Sequence, residues 1–316
     1  MSTPYTFHSF TSRPESPAQR GKCAAIGFFD GVHLGHLYLL NQIKAEAAQR
    51  GLEAVAVTFE NHPRTTFDPT GYTPPLLTTR TQKLQLLKEA GIDGCAVLHF
   101  SAEMAKLSSE AFMKSILQAR LGVECLLIGY DHSFGADRSS TFADYKRFGE
   151  QIGMEVVLEK PFFGGEEKIS SSRIRQLLTR GDVEGATRCL GRAFRLEGTV
   201  AEGHHVGTAL GFPTANLRPA RELLVPACGV YAVKARLRGE TLGGMLNIGH
   251  RPTLRNGNEI SVEVHLFDFA PRNLYGEQME VDFFGRVRDE HRFASLENLK
   301  DQLRHDARVV KKMLAK

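Results

Sequence analysis

From Cys23 to about Leu178 the sequence alternates between short apolar runs and helix-like segments. The runs "CAAIGFF", "LEAVAVTF", "GCAVLHF", "ECLLIGY" and "MEVVLE" have strand length and no polar face, as strands do when a sheet is covered on both sides. Between them Leu34–Arg50, Thr81–Ala90, Ser108–Leu121 and Phe142–Ile152 read as helices. Such alternation restricts this part of the chain to an open, doubly wound parallel sheet of the Rossmann-like kind. Ligands then gather at the carboxyl ends of the strands.

After a further helix around Ser172–Arg180 the pattern changes. "RLEGTV", "GVYAVKARL", "TLGGMLNIG", "ISVEVHLFDF" and "QMEVDFFGRV" are strands separated by turns, with no helix between them. Leu296, Leu299, Leu303 and Val310 then mark a last helix running to about Leu314. Strands in series closed by one helix predict a small antiparallel β-barrel. The expected class is therefore α/β plus β. A boundary near residues 182–192 divides the chain into domains 1–185 and 186–316, in keeping with a length above the usual single-domain size.

Composition narrows the partners. The 40 basic residues nearly balance 36 acidic ones, and the net charge of +4 is not gathered into a block. No nucleic-acid footprint is expected, while anionic small molecules remain suitable ligands. Residues 1–22 are polar and proline-containing, and no run approaches membrane-spanning length, so no membrane partner is expected. Cys23, Cys95, Cys125, Cys189 and Cys228 are isolated and form no CxxC, which predicts reduced thiols in a cytoplasmic protein. An oligomer is compatible with the sequence, which does not specify one.

The stretch "IGFFDGVHLGH", residues 26–36, is too rich in glycine and histidine for a plain connection. Gly31 and Gly35 let a ligand approach the backbone, and the helix starting at Leu34 turns N–H groups towards an anion. His33 and His36 are three apart and face the same way, which makes a phosphate cradle. A glycine turn with a capping Asp or His is the plainer alternative. Zinc is a rival, but it asks for three or four protein ligands, and nothing nearby completes the set. Further on, "ISSSRIRQLL" (169–178) opens a helix with three serines and two arginines, by itself an ordinary N-cap.

Together with the histidine turn, that segment is similar to the nucleotidyltransferases that share an ATP site with class I aminoacyl-tRNA synthetases. With "GFPTANL" (211–217) added, the chain resembles the bacterial bifunctional riboflavin kinase/FMN adenylyltransferases. The likeness extends through "TFENHPR" (58–64), "LLTTRTQKLQLLKEAGID" (76–93), "IGYDHSFGADR" (128–138), "GVYAV" (229–233), "NIGHRPT" (247–253), "VEVHLFDF" (262–269) and "LYG" (274–276). Each motif is weak alone, but their order across two domains is specific.

The resemblance implies phosphorylation of riboflavin to FMN by ATP in the barrel, and adenylylation of FMN to FAD with release of pyrophosphate in the first domain. It implies phosphate contacts by His33, His36, Ser171, Ser172 and Arg175. Nucleotide or flavin contacts are implied at Gly27, Phe29, Asp30, Gly31, Gly35, Asp131, Phe134 and Arg138. In the barrel it implies Glu263 as general base and Thr214 and Asn216 as oxygen ligands of Mg²⁺. Gly203, Gly207, Gly211, Pro213 and Arg251 are implied around the nucleotide. Alternation along "ISVEVHLF" sets Glu263 and His265 on the face opposite Val262, Val264 and Leu266. The chain departs from the family at "GHHVGTALG", where Val206 and Thr208 take basic positions and His204 and His205 offer partial compensation. Ser140 stands for a usual Gly, and Asn61 for a common Pro. Two other readings compete: a nucleotidyltransferase for another phosphorylated substrate, and a flavin-binding regulator whose kinase has decayed.

Overall fold

A computed structural model describes residues 5–11, 21–60, 73–129, 134–136, 140–160, 162, 168–202, 211–252, 258–269 and 273–315. The chain forms two compact units, one of Met1–Pro74 with Arg80–Lys168 and one of Pro75–Thr79 with Ile169–Lys316.

The first unit is built on a six-stranded sheet ordered β1-β4-β3-β2-β5-β6. Its strands are β1 (Tyr5–Ser9), β2 (Lys22–Ile26), β3 (Glu53–Phe59), β4 (Gly94–Leu98), β5 (Val123–Ile128) and β6 (Glu155–Leu158). The helices are α1 (Leu34–Arg50), α2 (Arg80–Glu89), α3 (Ser109–Phe112), which runs on into a wider π turn at Met113–Gln118, and α4 (Phe142–Ile152). Alternate strand residues face opposite ways, and both sets are buried. Cys23, Ala25, Cys95 and Val97 pack with Leu40 and Ile43 of α1 and Leu87 of α2. Ala24, Ile26, Ala96 and Leu98 pack with Met113, Ile116 and Tyr145 on the other face. Double coverage accounts for the unbroken apolar runs. Strands β2 to β6 are parallel, and the order reverses between β2 and β5, which places a topological switch point beside the turn that leaves β2. The sheet is not purely parallel, however. β1 pairs antiparallel with β4 at the edge, within a stretch that reads in sequence only as a polar start.

The second unit is a closed antiparallel barrel ordered β10-β11-β8-β7-β12-β9. Its strands are β7 (Phe194–Ala201), β8 (Ala215–Pro219), β9 (Gly229–Leu237), β10 (Glu240–Pro252), β11 (Asn258–Leu266) and β12 (Gln278–Arg288). Helices α5 (Ser171–Thr179) and α6 (Val183–Leu190) share one core with the barrel interior, where Ile174, Leu178 and Ala186 join Leu196, Tyr231 and Val264. Helix α6 lies in the region read as a boundary. Leu76 belongs to the same unit through main-chain hydrogen bonds to Glu222 and Leu224. The terminal helix α7 (Leu296–Leu314) lays Val310 on Ala232, Met245 and Phe267.

Candidate active sites

The turn after β2 is strained and tightly built. Gly31 has φ 80°, as glycine permits, but Phe29 at 53° and Val32 at 37° are also left-handed, and Val32 is β-branched. Such conformations cost about 1–3 kcal/mol each and persist only where the surroundings over-determine them. Here Phe29, Val32, Asp30 and His33 are all buried. His33 caps α1, its Nδ1 accepting the His36 N–H at 3.3 Å, so Nε2 carries the ring proton. The two imidazoles stack 3.6 Å apart, 15° from parallel, and His36 meets the Phe29 ring edge-on. The capping alternative is thus realised by one histidine, while the pair still shares one face as the spacing predicts. No acidic residue occupies the first turn of the 17-residue helix, so nothing within that turn offsets the attraction of its positive end for an anion. Gly35 lies in that first turn, and Gly27 follows β2 with its N–H bonded to Val57 O.

Phe134 is fixed by its main chain. Its N–H donates to the Tyr145 hydroxyl at 3.0 Å, and its carbonyl accepts from Tyr145 at 3.1 Å and from Ser109 Oγ at 2.8 Å. Ser140, the residue that stands for a family glycine, donates to Ser109 Oγ at 3.0 Å. The side-chain hydroxyl is therefore used within this loop anchor. Asp131 and Arg138 lie outside the described residues, as do Asn61, Gly203, His204, His205, Val206, Gly207, Thr208 and the side chain of Arg251.

Ser171, Ser172 and Arg175 belong to the second compact unit, not to the one that carries His33 and His36. Ser170, one residue earlier, is the N-cap of α5 and accepts from Arg173 N–H. Arg175 Nε donates to Pro75 O at 2.7 Å.

In the barrel, β11 alternates as its sequence predicts. Val262, Val264 and Leu266 are interior, and Glu263 and His265 sit on the outer face. That face lines a cavity of about 310 Å³ whose wall also includes Arg288, Phe293, Leu299 and Leu303. Thr214 Oγ1 lies 3.5 Å from Glu263 Oε2, at the long limit of a hydrogen bond. Asn216 of β8 and Asn247 of β10 are the cross-strand neighbours of Glu263 on its two sides. His265 Nδ1–H donates to Pro213 O at 2.9 Å, and burial holds the imidazole below its ordinary pKa despite that bond. It is a neutral, oriented ring between Phe212 and Phe267. Gly211 precedes this segment with φ 82°, where a side chain would be strained.

Sequence reasoning missed the Arg288 part of the cavity wall. Arg288 is held by the buried Asp306 of α7, through Nε at 2.9 Å and Nη2 at 2.8 Å, and Gln302 donates to the same carboxylate at 2.7 Å. Asp306 is buried while Arg288 keeps 21% of its side chain exposed, so it is removal of the arginine that strands a buried charge, at a cost of roughly 3–5 kcal/mol. Arg288→Met is therefore expected to lower the urea unfolding free energy by about 3 kcal/mol, and Arg288→Met with Asp306→Leu by much less. Equal losses in the single and double variants would contradict a buried, mutually dependent pair.

A family model described as FAD synthetase matches residues 15–173, and one described as riboflavin kinase matches residues 190–314. The bifunctional riboflavin kinase/FMN adenylyltransferase of Listeria monocytogenes is 35% identical over 316 residues, covering 100% of this chain and 99% of that protein. Its namesake in Escherichia coli K12 is 37% identical, covering 95% of this chain and 93% of the relative. A crystal structure described as a macrolide-efflux protein from Streptococcus pneumoniae superposes with a TM-score of 0.84 at 30% identity, covering 93% of this chain and 96% of that one. Among the described residues no helix is long and apolar enough to cross a membrane. With both modules matched in the order read from the sequence, the chain belongs to the family of bifunctional riboflavin kinases/FMN adenylyltransferases.

Proposed function

We propose that residues 186–316 phosphorylate riboflavin at the Glu263 cavity and that residues 1–185 adenylylate the resulting FMN at the histidine turn. The observation that carries the kinase reading is Glu263 on the wall of a cavity in the barrel, 3.5 Å from the Thr214 hydroxyl. Glu263 accepts the proton of the ribityl 5′-hydroxyl as that oxygen bonds to the γ-phosphorus of ATP, and ADP leaves with the electrons of the broken bond. Thr214 and Asn216 offer a hydroxyl and an amide carbonyl beside a carboxylate, hard oxygens that fit Mg²⁺ arriving with the ATP phosphates. Bound there, Mg²⁺ would offset phosphate charge. Apolar side chains of the cavity wall suit the flavin ring, and Gly211 and Pro213 shape the segment before Thr214.

Adenylyl transfer needs no protein nucleophile. A phosphate oxygen of FMN attacks the α-phosphorus of ATP and pyrophosphate departs, so the protein positions anions and stabilises developing charge. His33, His36 and the first turn of α1 supply donors for this. The family resemblance assigns Ser171, Ser172 and Arg175 to the same step, Phe134 with Asp131 and Arg138 to a loop that contacts flavin and nucleotide, and Gly203, Gly207 and Arg251 to the kinase nucleotide. Five cysteines, all free thiols, suit a cytoplasmic setting.

The test is one incubation of the purified chain with riboflavin, ATP and Mg²⁺, with products separated by chromatography. FMN should appear first and FAD after it, and chelation of Mg²⁺ should stop both. FAD formed from supplied FMN, with no FMN ever formed from riboflavin, would favour the decayed-kinase reading.

A further inference from the structure

Lys83 of α2 is a lysine in an unusual place. It is only 6% exposed, and its ammonium lies 3.1 Å from Phe28 O, 3.3 Å from Phe59 O and 3.3 Å from Thr58 Oγ1. It also sits over the Phe28 ring, 4.4 Å from the centroid. Thr58 Oγ1 in turn donates to Phe28 O at 3.0 Å. Three N–H donors thus meet three acceptors at the carboxyl ends of two neighbouring parallel strands. Phe28 is the residue before Phe29, where the left-handed turn begins. Backbone of that kind needs outside restraint, and the Phe28 carbonyl is held by two donors.

We propose that Lys83 is a positioning residue for adenylyl transfer: by gripping the carbonyls of Phe28 and Phe59 it fixes the turn that presents His33 and His36. This rests on the reading of that turn as the adenylyltransferase site. Lys83 touches no reacting atom in this role and acts through the main chain of Phe28.

The grip depends on charge. Burial depresses the Lys83 pKa to about 8, countered by the Asp30 carboxylate and assisted by the Arg80 guanidinium. Among the described residues, the titratable groups facing it are Asp30 from the turn, Arg80 from the preceding turn of α2, and Cys95 from β4. Burial pushes the Cys95 thiol up to about 12, so it stays uncharged in this range. Arg80 is engaged by Glu60 at 2.7 Å. Above pH 8 the amine has two N–H groups and a lone pair for the same three acceptors. The Thr58 hydroxyl then turns to donate to that lone pair, and Phe28 O is left with one donor in place of two. The positioning form is the protonated one, and the adenylyl rate should fall as pH rises through about 8. Lys83's own contribution to stability runs the other way. Between about 8 and its unfolded value the unfolded chain binds more protons, so this contribution grows with pH. Loss of rate without loss of stability is therefore the signature.

The experiment measures kcat and KM for FAD formation from FMN and ATP between pH 6.5 and 9.5, for the full-length wild type, Lys83→Met and Lys83→Arg. Thermal unfolding and the riboflavin kinase rate of the same preparations serve as controls. The expected result is a roughly 10–100-fold lower adenylyl kcat in Lys83→Met, since small misplacements at a reacting site have effects of that size. Its profile should be flat across pH 8, with kinase activity retained. Lys83→Arg should keep more of the rate and lose the pH-8 decline. The proposal is overturned if the wild-type profile shows no decline near pH 8, or if both variants keep the wild-type rate and profile. The first of these outcomes can be read even where Lys83→Met fails to fold. If His36→Ala also left the adenylyl rate intact, the site reading itself would fail; normal Lys83 variants beside an impaired His36→Ala would sink this inference alone.

Discussion

Glu263→Gln is expected to abolish FMN formation almost completely while FAD formation from supplied FMN proceeds at the wild-type rate. Gln matches Glu in shape and can still accept a hydrogen bond from Thr214, but its amide cannot take a proton at neutral pH. A positioned general base contributes about 10²–10⁴-fold, and the whole of that factor should be lost from kcat. Fold and cavity should be unaffected, because Val262 and Val264, not Glu263, fill the barrel interior. The check is an HPLC time course with riboflavin alone and then with FMN alone. Equal kinase rates in the two proteins would return Glu263 to an ordinary polar residue on the outer face of β11.

The second large effect is at His36. Removing one donor aimed at developing charge costs roughly 10²–10³-fold, so His36→Ala should convert riboflavin to FMN normally and then stop there. FMN accumulation is the readout. The imidazole also stacks on His33 and meets Phe29, so part of the loss will come from a looser turn. His36→Gln, which keeps a donor, should recover part of the rate. Normal FAD synthesis by His36→Ala would mean that the stacked pair only shapes the helix start.

What could be read from the sequence follows from which interactions are local. The inner parallel strands are legible because burial on both faces leaves no polar alternation, as at β3, where all seven residues are buried. The strand β1 is not, since its residues are at most half-buried and its pairing partner β4 is some ninety positions away. Helix α6 escaped although Asp182 caps it through Gly185 N–H, because eight residues with Gly185 and Thr187 carry little intrinsic helix preference. The wide π turn at Met113–Gln118 falls inside an ordinary helical pattern. In the barrel, Glu263 could be placed on a face by alternation alone. Asp306 and Arg288 could not be seen as a buried pair, because eighteen residues separate them and each reads as a surface charge. Lys83 is the same case: "RTQK" looks like a solvated helix start, and only strand ends folded against it make it an internal donor.

Two chemically independent sites on one chain can be separated and recombined. The direct measurement is complementation: riboflavin, ATP and Mg²⁺ incubated with Glu263→Gln alone, with His36→Ala alone, and with an equimolar mixture of the two. Each variant alone should make FAD at no more than about a hundredth of the wild-type rate, Glu263→Gln for want of FMN and His36→Ala for want of adenylylation. The mixture should make FAD at a rate near half that of the wild type at the same total protein, with FMN passing through solution. A mixture that stays as inactive as its components, or either variant losing both reactions, would mean that the two sites are not independent.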